Sequence, residues 1–314
     1  TLILFYRYSQ QSYQFQFICK LFKWVDIFAD SERKPIKAEN DLHFITDALD
    51  SYVQANNIVY AETFFAPTSL LKKGFSFSGS LKILKKGMEK IKEKRGCIIK
   101  MIVDVSRSFG MENAMNNLEL VLKENDPYII GIGLGGSETF GPARNFAPVF
   151  DRAKQEGLHT VAHAGETEDS WSIKDSINLL HAERIGHGIS AAYDEEFLKE
   201  LAKTKLPLEV CPTSNVYTQK YVKTLKEHPI KKLYDSGVMV TLNTDDPSFF
   251  KVSLIDEYWN AYRILNFTLK DIKQLIKNGF NSAFISREEK DLYCRKVDEA
   301  WDSWFSAHPD VKQD

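Results

Sequence analysis

Three features are lacking from this sequence, and each lack excludes a class of protein. No run of about 18 apolar residues occurs, so no transmembrane helix is expected. The four cysteines, Cys19, Cys97, Cys211 and Cys294, are widely spaced and form no CxxC pair. This spacing excludes a disulfide scaffold and favours a reduced, cytoplasmic setting. The apolar start TLILFY is broken by Arg7 and has no small-residue cleavage site, which argues against a signal peptide.

An excess of one charge is also lacking, because 41 basic residues face 43 acidic ones and the net charge is −2. This balance gives no reason to expect nucleic acid or an anionic membrane as a partner. No Pro/Gly/Ser-rich linker divides the chain, so residues 1–314 are predicted to form a single domain. A chain of 314 residues is within the range of an α/β barrel.

Short apolar runs alternate with amphipathic helical stretches along most of the chain. Continuous apolar runs are typical of parallel strands that are buried on both faces. The chain becomes helical after residue 256, so residues 57–256 are predicted to hold the core strands and residues 257–314 additional C-terminal helices. The predicted strands are 57–65, 97–105, 128–134, 159–163, 184–189, 206–211 and 238–243.

Polar residues of reactive type follow one strand after another, which decides between two parallel α/β folds. An open sheet concentrates its site at one switch point, whereas a (β/α)8 barrel collects residues from many strands at one mouth. The spread favours the barrel. Seven strands are predicted, so the eighth has to lie before residue 57. The residues at these strand ends are Glu62, Asp104, Gly136, Ser137, His163, Glu166, His187, Asn215, Asp245 and Asp246.

Three of these strand ends carry the residue types of a metal-dependent hydrolase. His163 with Glu166 ends one strand, His187 between two glycines ends the next, and Asp245 with Asp246 ends the last. Each alone has a simpler explanation, such as a core histidine or an Asx turn. Together they provide metal ligands, a water base and a proton donor, which predicts a mononuclear metal site.

Several motifs in this order resemble the adenosine and adenine deaminase family, which belongs to the metal-dependent amidohydrolase superfamily. The resemblance covers roughly residues 57–256. It implies a (β/α)8 TIM-type barrel. The motifs are Tyr60-Ala-Glu62, Gly133-Leu-Gly-Gly-Ser-Glu138, His163-Ala-Gly-Glu166, Arg184-Ile-Gly-His-Gly188, Cys211-Pro-Thr-Ser-Asn215, His228-Pro-Ile-Lys-Lys-Leu-Tyr234 and Asn243-Thr-Asp-Asp-Pro247.

The resemblance implies a catalytic zinc ion and assigns residues to it. His163 and Asp245 would be zinc ligands, and His187 would orient or deprotonate the attacking water and stabilise the developing alkoxide. Zinc lowers the pKa of water that it binds. The segment from Cys211 to Asn215 is interpreted as a structural strand end, not as a second metal site. The other zinc deaminase class uses an HxE and PCxxC arrangement, which this chain lacks.

The resemblance also implies a substrate and the residues that handle it. Glu166 would donate a proton to purine N1, Asp246 would hydrogen-bond the water and purine N7, and the backbone of Gly136 would contact the purine. The implied reaction is hydrolytic deamination of a small 6-aminopurine, adenosine to inosine plus ammonia, in purine salvage. The sequence does not reveal an oligomeric state.

The sequence departs from the family at the first strand. In the family this strand carries a His-x-His motif, which supplies two further zinc ligands. The sequence has no His-x-His, and its first histidine is His43. Residues 1–20 are atypical, and the first strand is expected to be missing. The chain, which starts at Thr1, is therefore expected to be truncated, or else degenerate. With two protein ligands, it is expected to bind zinc poorly and to have little activity.

Four alternatives remain open for the function. Phe64 stands where many adenosine deaminases carry Arg, which favours adenine deaminase. An aminodeoxyfutalosine deaminase is a second alternative. An inactive family member that acts only as a binding protein is a third, favoured by the lack of His-x-His. Another amidohydrolase reaction is a fourth, disfavoured because no Lys ends the third or fourth predicted strand to bridge two metals. AMP deaminase is disfavoured, because no phosphate-binding cluster is evident near the strand ends.

Overall fold

The fold is built on one parallel sheet whose eight strands follow one another in chain order. The computed structural model describes the backbone of residues 17–19 and all of residues 36–311. Each strand pairs in parallel with the next one along the chain. The strands are β1 (Phe17–Cys19), β2 (Ile58–Phe65), β3 (Ile98–Asp104), β4 (Ile129–Leu134), β5 (His159–Ala164), β6 (Arg184–His187), β7 (Leu208–Val210) and β8 (Val240–Leu242).

The seven predicted strands correspond to β2–β8, which confirms the (β/α)8 class, and the short β1 precedes them. Phe17 pairs with Ile58 of β2, and Cys19 pairs with Ala61. The expectation of a missing first strand is therefore corrected in one respect: a three-residue strand occupies its position, and its sequence Phe-Ile-Cys contains no histidine. Three residues are too few for a periodicity to show. The other residues of the atypical segment 1–20 lie outside the described part of the chain.

Helices connect the strands and continue beyond the last one, as predicted. No helix in the described part of the chain has the length and apolar character needed to cross a membrane. The helices are α1 (His43–Ala55), α2 (Thr68–Lys72), α3 (Phe77–Arg95), α4 (Gly110–Glu124), α5 (Ala147–Gln155), α6 (Ser170–Leu179), α7 (Glu195–Thr204), α8 (Pro212–Thr218), α9 (Ile230–Asp235), α10 (Pro247–Phe250), α11 (Leu254–Arg263), α12 (Leu269–Asn281) and α13 (Arg287–Ala307).

The C-terminal helix α12 shows how local sequence sets a helix and its packing. The Thr268 hydroxyl accepts a hydrogen bond from the N–H of Asp271, whose carboxylate accepts from the N–H of Thr268, so a capping box begins the helix. Its apolar face is buried, and Asn278 donates to the carbonyl oxygen of Val240 on β8 at 2.9 Å. This bond and the apolar face hold α12 against the last strand. Trp301 of α13 is also buried.

A buried ion cluster lies away from the strand ends that carry the candidate site. Arg184, the first residue of β6, contacts Glu62 at 2.6 Å (Nη1 to Oε2) and Glu209 at 2.8 Å (Nε to Oε1). The ring of Phe284 covers the guanidinium at 3.6 Å. The placement of Glu62 at a strand end was therefore wrong. It lies three residues before the end of β2, and its carboxylate balances a buried arginine.

Candidate active site

His163 lies one residue before the end of β5, and its imidazole packs inside the curve of the sheet. Its ring lies 5.1 Å from that of His187 and 5.3 Å from that of Phe64, measured between centroids. Gly186 on the neighbouring strand makes room for it, because a Cβ there would lie 3.2 Å from His163 Cγ. The guanidinium of Arg107 donates to the backbone carbonyl of His163. The histidine is thus held at the mouth by its ring packing and by its main chain.

His187 and Asp245 share an unusual backbone conformation. Their φ angles are 64° and 56°, in the left-handed region that non-glycine residues seldom adopt. Such strain persists only where the surrounding structure enforces it, and it is concentrated at functional sites. Ser214 donates to Asp245 Oδ2 at 2.8 Å. Asp245 Oδ1 is buried and has no hydrogen-bond partner among the described residues, so it can accept a ligand.

One nitrogen or oxygen atom from each of His163, His187 and Asp245 lies within 4.8 Å of the other two. All three residues are buried. Imidazole nitrogen and carboxylate oxygen are ligand types that Zn²⁺ accepts, and the buried free oxygen of Asp245 fits a cation. The structure therefore brings together the two residues proposed as ligands, His163 and Asp245, and places His187 beside them.

Glu166 lies beside this group and is more exposed than His187 or Asp245. Its side chain is 18 % exposed, against 1 % for His187 and 9 % for Asp245. Its Oε2 lies 3.5 Å from His187 Nε2, and its Oε1 accepts from Asn215 Nδ2 at 3.4 Å. A ligand that enters the mouth can thus reach Glu166, which a proton donor requires.

The loop that carries Glu166 is held by Glu138, whose role the sequence did not reveal. The carboxylate of Glu138 accepts from the backbone N–H groups of Gly165, Glu166 and Thr167 at 2.7, 2.9 and 2.8 Å. It also accepts from the hydroxyl of Ser172 at 2.5 Å. Glu138 stood within a quoted motif, but its partners lie in another loop, so no local pattern indicated the contact. One buried carboxylate thus joins the loops after β4 and β5.

Asn215 and His228 form a second supporting pair, whose contacts no spacing in the sequence indicates. Asn215 lies in α8 and is fully buried. Its Nδ2 lies 3.0 Å from His187 Nδ1, and its Oδ1 lies 3.2 Å from His228 Nε2. Burial lowers the pKa of His228 to about 3, with a smaller contribution from nearby His187. His228 is therefore neutral at physiological pH.

Three predicted positions remain, namely Asp246, Gly136 and Cys211. Asp246 is buried and directly follows Asp245, and its carbonyl oxygen accepts from the N–H of Phe250 at 2.9 Å. Gly136 has φ 99°, and a Cβ there would lie 2.6 Å from the hydroxyl of Ser108. Its backbone conformation therefore favours glycine, and the exposed Ser108 side chain would have to rotate to admit a Cβ. Cys211 is buried at the end of β7, and burial raises the pKa of its thiol, which suits the structural interpretation.

The comparisons with known proteins point in one direction. The family model described as Adenosine deaminase matches residues 9–300. The chain is 37% identical over 245 residues to an adenine deaminase of Psychrobacter cryohalolentis, covering 78% of this chain and 73% of that protein. It is 36% identical over 262 residues to an adenosine deaminase of Clostridium acetobutylicum, covering 83% and 78%.

Two further matches extend this comparison. The chain is 33% identical over 273 residues to an aminodeoxyfutalosine deaminase of Streptomyces avermitilis, covering 86% of this chain and 76% of that protein. The crystal structure of an adenine deaminase from Arthrobacter aurescens superposes with a TM-score of 0.80 at 29% identity, covering 83% of this chain and 79% of that one. All of these proteins are deaminases by name.

Proposed function

We propose a function for this chain, which belongs to the adenosine and adenine deaminase family of the amidohydrolase superfamily. Its buried site deaminates adenosine to inosine and ammonia in purine salvage. Its relatives are deaminases, which are hydrolases, and the chain is an enzyme of this adenosine deaminase-like type. One observation carries the proposal. His163, His187 and Asp245 meet in one buried group at strand ends, and Glu166 lies 3.5 Å from His187.

Zinc is the metal that we propose for this group, with His163 and Asp245 as its ligands. Amidohydrolases generally bind a metal, and the imidazole and carboxylate donors here suit zinc. When bound, zinc makes water acidic enough to become a nucleophile at neutral pH. Asp245 Oδ1, which is buried without a hydrogen-bond partner among residues 36–311, is the oxygen that would face the metal.

Zinc affinity tests this assignment. Because catalytic zinc normally has three protein ligands, the chain is expected to hold well below one zinc per chain after dialysis. Metal analysis by mass spectrometry measures this. His163→Gln is the variant that should lose what remains, and His181→Gln, at a half-buried histidine that contacts Asp151, is the control. A value near one zinc per chain in the unmodified protein would contradict the expected weak binding.

The proposed steps follow from where the side chains lie. Glu166 donates a proton to purine N1, which makes C6 electrophilic, and its exposure at the mouth supports this role. Water attacks C6, oriented by His187 and Asp246. The amino group leaves as ammonia when the C6–N6 bond breaks. One proton of the attacking water goes to this leaving group, and the other returns to the carboxylate of Glu166. Water and adenosine thus become inosine and ammonia. Gly136 contacts the purine through its backbone, next to the space that Ser108 limits.

Substitution of Glu166 is the decisive activity test. Glu166→Gln should lower kcat by about 10²–10⁴-fold, the usual contribution of a positioned proton donor, while leaving zinc content unchanged. Glu168→Gln, two residues further along the same loop, is the matched control and should retain the rate. Ultraviolet absorbance at saturating added zinc follows the reaction. Equal rates in the two variants would rule out Glu166 as the proton donor.

Adenine is the second candidate substrate, and Phe64 is the observation that favours it. The Phe64 ring is fully buried and packs edge-on to His163, so it shapes the floor of the site. Parallel assays with adenosine and adenine, each with added zinc, separate the two candidates by kcat/KM. Binding of either compound without release of ammonia would contradict an enzyme and support the binding-protein alternative.

A further inference from the structure

We propose that Asn215 and His228 are positioning residues that hold the ring proton of His187 on Nε2. His187 then presents an N–H group to the site and does not bind metal through that nitrogen. A backbone amide, the side chains of His228 and Asn215, and the ring of His187 form one hydrogen-bonded chain. Each donor or acceptor in this chain determines the identity of the next.

The first step concerns His228. The backbone N–H of Ile230 donates to His228 Nδ1 at 3.1 Å. A backbone amide can only donate, so Nδ1 must accept. Since burial keeps His228 neutral, as its lowered pKa shows, its single ring proton is on Nε2. His228 therefore has one defined tautomer.

The second step concerns the side-chain amide of Asn215. His228 Nε2–H donates to Asn215 Oδ1 at 3.2 Å. The opposite amide orientation would place an NH₂ group against Nε2–H and an amide oxygen against the carboxylate of Glu166, 3.4 Å away. Two repulsive contacts would replace two hydrogen bonds, in a place where Asn215 has no access to water. The amide orientation is thereby determined.

The third step transfers this orientation to His187. Asn215 Nδ2 donates to His187 Nδ1 at 3.0 Å. A neutral imidazole carries one ring proton, so the proton of neutral His187 is on Nε2. That nitrogen faces two acceptors, Glu166 Oε2 at 3.5 Å and Asp245 Oδ2 at 4.0 Å. The lone pair that a metal would need at Nε2 is therefore occupied by a proton, which separates His187 from the ligands His163 and Asp245.

The consequence for catalysis, unlike the tautomer itself, rests on the proposed function. An N–H group held in place between two carboxylates is suited to hydrogen-bond the oxygen that gains negative charge as C6 is attacked. The structure thus favours stabilisation of the developing alkoxide by His187, out of the two roles that the family resemblance left open.

Asn215→Asp tests the tautomer because it replaces the amide donor that faces His187 and Glu166 by an acceptor at constant shape. Its carboxylate still accepts from His228 Nε2–H, but it can only accept from His187, so the His187 proton should move to Nδ1. Ring-nitrogen NMR on ¹⁵N-histidine-labelled, metal-free protein at neutral pH distinguishes the two states. Loss of signals in His187→Gln assigns that ring among the seven histidines of the chain.

The expected result is a protonated Nε2 in the unmodified chain and a protonated Nδ1 in Asn215→Asp. A protonated Nδ1 in the unmodified chain, or unchanged His187 signals in Asn215→Asp, would overturn the inference. Should Asn215→Asp fail to fold, as judged by circular dichroism, two variants of His228 decide instead. His228→Gln keeps an amide donor and should preserve the His187 signals, whereas His228→Leu removes it and should yield a mixture of both tautomers.

Kinetics then separate this inference from the proposed function. If the chain deaminates adenosine, Asn215→Asp should lower kcat by about 100-fold or more with KM nearly unchanged, because a donor is lost and substrate contacts are kept. A chain without any turnover would end the proposed function but would leave the ring-nitrogen spectra to decide the tautomer. A large rise in KM at constant kcat would contradict a positioning role.

Discussion

Replacement of Glu138 by Gln should destabilise the loop that carries Glu166. The two carboxylate oxygens of Glu138 accept hydrogen bonds from three backbone N–H groups, those of residues 165–167, and from the hydroxyls of Thr167 and Ser172. Glutamine offers one acceptor oxygen. If that oxygen stays with Glu166 and Thr167, the new NH₂ group faces the N–H of Gly165, donor against donor.

The magnitude follows from this count. A hydrogen bond to a charged group contributes about 1.5–3 kcal/mol, and a buried N–H without a partner costs about 1–3 kcal/mol. Glu138→Gln loses the hydrogen bond from Gly165 and leaves that buried N–H without a partner, so the expected loss is roughly 2.5–6 kcal/mol. Because whole domains are stable by about 5–15 kcal/mol, the variant should be close to the limit of folding.

Urea unfolding followed by circular dichroism at neutral pH measures this loss. Glu156→Gln is the control, since Glu156 is exposed and its ion pair with Arg152 spans one helical turn, where a change of about 0.5 kcal/mol or less is expected. Amide hydrogen exchange should also become faster at residues 165–167 than elsewhere in Glu138→Gln. A loss below about 1 kcal/mol, or unchanged exchange in this loop, would refute the reasoning.

Three further predictions concern other parts of the fold. Burial raises the pKa of Glu257 to about 7 from 4.5, so its protonated side chain stabilises the fold below the ordinary pKa, and this contribution is lost as pH rises through 7. Urea titrations should show a lower free energy of unfolding at pH 8 than at pH 5, and Glu257→Gln should abolish this difference. Arg184→Met leaves two buried carboxylates unpaired and should cost about 3–5 kcal/mol of unfolding free energy, with recovery of Tm when Glu62→Gln and Glu209→Gln are added. Gly136→Ala forces a left-handed backbone on alanine and should cost about 1–2 kcal/mol, which Ser108→Gly should restore only in part, as thermal melts would show.

The strands could be predicted because burial on both faces gives each one a continuous apolar run. This signal is sufficient to predict β2 to β8, where the apolar runs extend over several residues and are flanked by polar or glycine-containing turns. It fails for β1, since three residues provide no period. It also misplaced Glu62, because a carboxylate in a strand looks the same in sequence whether it faces a ligand or a buried arginine, here Arg184.

The site residues were predictable as a set, whereas their supports were not. His163, Glu166 and Asp245 belong to residue patterns that a metal hydrolase requires, and the structure brings His163 and Asp245 together. Glu138 contacts residues 27–29 positions away, and Asn215 contacts His187 across 28 positions. Such contacts depend on loop geometry and on which atom of an amide faces a ring. Neither leaves a spacing signal in the chain.

The left-handed backbone at His187 and Asp245 destabilises the fold at two residues of the candidate site. Strain of this kind costs of order 1–3 kcal/mol at each residue, and glycine would relieve it. Substitution to glycine at either position would relieve this strain, but it would also remove a buried side chain that Asn215 or Ser214 contacts by a hydrogen bond. At these two positions the side chain that the proposed reaction needs is therefore kept at the cost of a strained backbone.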